Sequence, residues 1–139
     1  MSEPSLNPTI NELVKAYPEP VKSLFHEIRS LIFDVALDKQ LGSIEETLKW
    51  GQPAYLCKSG STIRVHWNQQ QENSFEILFN CKTILIETFK EVYQGEFNYR
   101  GNRVIVLSLT EPLPASLKSC IYMALNYHNL KKLPLLGAD

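Results

Sequence analysis

The chain reads as an α+β domain: an antiparallel sheet of five or six strands with amino- and carboxyl-terminal helices on one of its faces. Three observations carry that reading. Val21, Leu24, Phe25, Ile28, Leu31, Ile32 and Val35 recur at the i, i+3, i+4, i+7 spacing of one buried helical stripe. From Ile44 onward the period changes to two, as in strands with one covered face. A second helical stripe, Leu117, Cys120, Ile121 and Ala124, follows Pro114 near the end of the chain.

The elements follow in order. Residues 1–11 are polar and carry two prolines, which predicts a tail that frays or packs late. The helix over Val21–Val35 starts beside Pro18 and Pro20, where a missing amide proton is harmless, and Gly42 lies shortly after its end. Ile44, Glu46, Leu48 and Trp50 then alternate with Glu45, Thr47 and Lys49. Trp50 is expected in the core beneath the helices, with Gly51 and Pro53 turning the chain, so truncating its ring should cost roughly 3–5 kcal/mol. "KSGS" reads as a tight hairpin turning at Ser59 and Gly60, which places Tyr55 opposite Arg64 and Ala54 opposite Val65. Phe75, Ile77 and Phe79 point inward on the next strand and Glu76 outward. A short helix is expected over Lys82–Tyr93, then two strands joined by a turn at Arg100–Asn102, then the closing helix with Lys131 and Lys132 at its carboxyl end. No repeat or linker divides residues 1–139, which read as one domain.

Composition removes several function classes. With 44% hydrophobic and 21% charged residues the chain can bury a core, so disorder is excluded. A formal net charge of -1 gives no overall attraction to nucleic acid or to an anionic membrane surface. Cys57, Cys81 and Cys120 are an odd, scattered set, which argues against a disulfide framework or a zinc site and fits a reducing compartment. The start lacks a signal-peptide pattern and no segment reaches the ~18 apolar residues of a membrane span, so a soluble, cytoplasmic protein is expected.

Two surfaces are candidates for function. On the long helix, Glu27, Asp34 and Asp38 fall along one shoulder of the apolar stripe, and Lys15, Lys22 and Arg29 along the other. The acidic edge continues toward Glu45 and Glu46. It reads either as a solvated shoulder or as a ridge that binds hard cations or ferrous iron loosely through water. Phe33 falls on the polar side of the same helix. On the sheet, the open face is expected to carry Lys49, Tyr55, Arg64, His66 and Glu76, with a Tyr55–Arg64 cation–π pair and His66 beside Glu76. That face would suit an anionic small molecule or peptide. No spacing among His26, His66 and His128 suits a metal, Cys57 next to Lys58 has no local base, and no triad or phosphate-loop pattern occurs. A non-enzymatic protein is therefore favoured.

The segments "AYPEPVKSLFHEIRSLI", "IEETLKWGQPAY" and "FNYRGNRVIVLSLTEPLP" resemble the YdhG-like family of small bacterial proteins, a domain of unknown function, over about Tyr17 to Tyr127. The resemblance implies a frataxin-like fold. It also implies an intracellular iron chaperone that hands iron to an accepting protein, with Glu27, Asp34, Asp38, Glu45 and Glu46 at the positions of the acidic ridge.

Overall fold

Asn7 starts the first helix, because its side-chain oxygen accepts the amide protons of Thr9 and Ile10 at 2.9 and 3.2 Å and Pro8 fills the first helical position. Helix α1 then runs over Pro8–Lys15 and buries Ile10 and Val14. The computed structural model describes residues 4–138. The expected tail over residues 1–11 is thereby corrected: its polar residues include a helix cap, and the helix packs against the first strand. Residues 1–3 of that tail lie outside the described residues.

Helix α2, Glu19–Asp38, buries the expected stripe except Leu31, which is half-buried at the edge of a groove, and it also buries Arg29 and Phe33. Phe33 is thus not a surface residue, and its ring meets Tyr55 edge-on at 6.1 Å. Six strands follow: β1 Glu45–Lys49, β2 Gln52–Leu56, β3 Ile63–His66, β4 Ser74–Leu78, β5 Asn98–Arg100 and β6 Val104–Ser108. Their order is β1-β2-β3-β4-β6-β5 with every neighbouring pair antiparallel. Helix α3, Leu85–Val92, begins three residues after the expected Lys82. Helix α4, Leu117–Leu125, buries Leu117, Cys120, Ile121 and Ala124 fully, as the stripe predicts, and packs on α2. Asn126 separates it from the short α5, Tyr127–Leu130. The antiparallel sheet and terminal helices are those the sequence predicts.

Two local departures reshape the site. Trp50 and Gly51 form a two-residue turn with φ of +56° and +73° between the paired Lys49 and Gln52, the conformation that best matches strand twist. The period-two alternation therefore ends at Leu48, and Trp50 projects from the turn with 90% of its surface exposed instead of filling the core. Pro53 lies opposite Leu48 and outside the β2–β3 pairing, which covers Ala54 and Tyr55, so its missing amide proton breaks no bond in that ladder.

The β2–β3 connection is the second departure. It is a six-residue loop, residues 57–62, pinned against the end of α4. The Ser61 amide donates to the Ala124 carbonyl at 2.9 Å, Ser59 Oγ to the Leu125 carbonyl at 2.9 Å, and the His128 amide to the Ser59 carbonyl at 2.8 Å. Gly60 sits so close that a Cβ there would lie 2.3 Å from the Leu125 oxygen. With this loop the pairing is Ala54↔Arg64 and Tyr55↔Ile63, one residue from the expected register. A one-residue slip turns every β2 side chain over, which moves Tyr55 to the helix-covered face. Cys57 is also buried, its Sγ donating to the Leu125 carbonyl at 3.4 Å, and burial raises its thiol above the usual value despite the opposing Ser59 hydrogen bond.

Gly60→Ala is predicted to cost about 1–3 kcal/mol through overpacking against the α4 carbonyls. Trp50→Ala should stay within about 0.5 kcal/mol. Urea unfolding of both variants checks the pair, and the reverse ranking would contradict this loop and turn assignment.

Candidate functional site

Beneath the helices, β1 alternation points Glu46 inward, and α2 brings Arg29 over it. The contact is bidentate, with Arg29 Nε donating to Glu46 Oε2 at 2.6 Å and Nη2 to Oε1 at 3.0 Å. Tyr55 Oη donates to Oε2 at 2.8 Å and the Asn7 amide to Oε1 at 3.1 Å. Arg29 Nη2 also donates to the Pro4 carbonyl at 3.0 Å, and the guanidinium lies 4.9 Å from the Phe33 ring centre. Both charged side chains are under a tenth exposed. Burial alone would raise the Glu46 carboxyl, but hydrogen bonds from Arg29, Tyr55 and the Asn7 amide, with the Arg29 charge, outweigh it and hold the group below its ordinary value. Burial first, then the adjacent Glu46 carboxylate, pushes the Tyr55 phenol far above the usual range. Glu46 is therefore a structural carboxylate facing the interior and is corrected out of the acidic edge. Tyr55 is likewise removed from the ligand-facing set, and Arg29 from the solvated basic shoulder.

The other expected acidic residues lie apart from Glu46. Glu27 and Asp34 line one groove between α2 and the segment before α4, and Asp38 lines the next; Lys118 borders both. Glu45 points away from Glu46, toward a hollow bordered by Lys58 and His128. Among the described residues no group of three or more His, Cys, Asp or Glu side chains is placed to hold a metal ion. The predicted continuous ridge is thus broken at β1, because the strand period sends Glu45 and Glu46 to opposite faces.

The opposite face of the sheet gathers cations. The registers align Ala54, Arg64, Leu78, Val104 and Arg100 across β2, β3, β4, β6 and β5. Arginine stems so placed can cover the apolar strip while their heads reach solvent. Glu76 faces this side as expected and His66 lies opposite it, but its ion-pair partner is Arg100, which also donates to Gln71 Oε1 at 2.6 Å. At the β1–β2 end a shallow groove is lined by Lys49, Trp50, Arg64, Asn80, Cys81 and Arg103 among others, with no carboxylate in the lining. Arg64 Nη1 donates to the neutral Gln52 Oε1 at 2.8 Å, which holds the guanidinium in place without discharging it. Such a groove can receive a carboxylate or phosphate on the planar Arg64 fork.

Of the residues expected on the open face, the structure brings Lys49 and Arg64 together at this groove. It sets His66 and Glu76 further along the sheet and takes Tyr55 to the core. Trp50, Arg103 and the exposed Cys81 join the groove without having been expected there. For Trp50 the available signal was the Trp-Gly pair between two alternating runs, the spacing of a two-residue hairpin. Comparison with protein-family models, curated proteins and solved structures found no match. No described helix is long and apolar enough to cross a membrane.

Glu46→Gln is predicted to destabilise the fold by about 3–5 kcal/mol, since it removes the carboxylate paired with the buried Arg29 guanidinium. Tyr55→Phe should cost about 1.5–3 kcal/mol, the worth of a hydrogen bond to a charged group. Because the folded Glu46 pKa is depressed, its contribution is present above the ordinary value near 4.5 and is lost as pH falls from there through the folded value. Urea unfolding between pH 7 and pH 2 should show that this part of the acid loss is missing in Glu46→Gln; parallel pH profiles would contradict it.

Proposed function

We propose that this protein is a binding module that takes an anionic small molecule or peptide on its open sheet face, at the groove between the β1–β2 turn and the adjoining ends of β3, β4 and β6. The observation that carries this reading is the convergence of Lys49, Arg64 and Arg103 on one groove whose lining has no carboxylate. Charges of one sign in a concave site raise the local concentration of the opposite ion. Arg64 supplies a fork fixed by Gln52, and Lys49 and Arg103 supply exposed, adjustable charges at the rim. Solvent keeps each contact weak, so a dissociation constant on the order of 0.1–1 mM, about 4–5.5 kcal/mol, suits a compact anion.

Iron delivery by a YdhG-like protein has less support. Of its five candidate carboxylates, Glu46 is held by Arg29, and Lys118 stands beside the grooves of Glu27, Asp34 and Asp38. Calorimetric titration with pyrophosphate at low salt should show saturable binding that weakens about tenfold in Arg64→Ala and again in Arg64→Ala with Lys49→Ala. Among the cysteines Cys81 alone is exposed, so pyrophosphate should also slow its alkylation. Equal binding in all three proteins, or saturable ferrous iron binding that Asp34→Lys with Asp38→Lys abolishes while pyrophosphate does not bind, would overturn the proposal.

A further inference from the structure

We infer that the occupant of this groove joins its anionic group to a flat ring, as a nucleoside diphosphate does, and that the ring lies against Trp50. The inference rests on the anion-binding reading and adds the class of ligand. Trp50 is the most exposed of the large apolar side chains described, at 90%, and it borders the same groove as the three cations. Its position is costly for a tryptophan in two ways. The ring forgoes burial, and the backbone holds a φ of +56° that glycine, asparagine and aspartate adopt more readily. A local arrangement of this kind that brings the fold no packing points to a use outside the fold.

The geometry provides that use. Lys49 precedes Trp50 and pairs with Gln52, and Gln52 accepts from Arg64, so the turn, the cationic fork and the ring are tied to one another through two strands. An indole face attracts a planar π-system, and stacking of a base on an aromatic side chain is tolerant of which base it is. Three cations match the two phosphates of a nucleoside diphosphate better than a single carboxylate, which would leave two of them unmatched. Asn80, also in the lining, offers a neutral polar group to the ligand's hydroxyls or ring edge.

The test compares ADP, pyrophosphate and adenosine by calorimetry against wild type, Trp50→Ala and Arg64→Ala, with tryptophan fluorescence read in parallel. ADP should bind about tenfold more tightly than pyrophosphate and quench fluorescence. Trp50→Ala should bring ADP to the level of pyrophosphate, closing the tenfold gap between the two ligands. Equal affinities for ADP and pyrophosphate, both weakened by Arg64→Ala, would overturn the ring inference and leave the anion site standing. Absence of binding by both would overturn the two together. Trp50-dependent binding to phosphatidylglycerol vesicles with no gain of ADP over pyrophosphate would assign the indole to a lipid surface and overturn the inference as well.

Discussion

The ion pair between Arg29 and Glu46 is the contact on which the helical layer and the first hairpin jointly depend. It joins the middle of α2 to β1, takes a third bond from Tyr55 on β2 and a fourth from the Asn7 amide, and ties down the Pro4 carbonyl. Desolvating two charges is expensive, and the pair survives because their hydrogen-bonding groups meet partners on several sides. Its consequence is positional. With Glu46 and Tyr55 fixed inward, strand alternation leaves Glu45, Lys49, Gln52 and Ala54 on the other face, and the β1–β2 turn is held at the groove end of the sheet.

The two faces of the sheet are therefore complementary in chemistry. The inner face commits Glu46 and Tyr55 to structure, while the outer face keeps arginine heads in reach of solvent above a narrow apolar strip. Glu76 neutralises Arg100 at the middle of that outer face. Toward the β1–β2 turn no carboxylate plays the same part in the groove lining, and the cationic character is concentrated there. A near-neutral chain can thus hold a locally basic site, because net charge describes the whole surface and a ligand meets one part of it.

Much of the architecture was legible in the sequence, since helical stripes and period-two runs report burial directly. Leu117, Cys120, Ile121 and Ala124 lie where their spacing puts them, and so do Phe75 and Ile77. The site was less legible, for two physical reasons. The register of β2 depends on how the 57–62 loop docks on α4 through Gly60, a long-range contact that a local pattern such as "KSGS" does not contain. One slipped residue then exchanged Tyr55 for its neighbours on the open face. A lone charge on a helix shoulder is equally ambiguous: Arg29 reads as solvated until the strand bearing Glu46 is placed beneath it. Lys49 and Arg64 lie on the open face as strand alternation predicts, because their side of the sheet does not depend on β2.

The most direct measurement of the central claim, that the ligand face is the cationic side of the sheet, is a two-dimensional 1H–15N NMR titration with pyrophosphate. Shifts confined to the Lys49–Gln52 turn, Arg64, Asn80, Cys81 and Arg103, with the Trp50 indole signal among them, are the predicted result. Shifts mapping to α2 around Glu27, Asp34 and Asp38, with the turn unmoved, would contradict it.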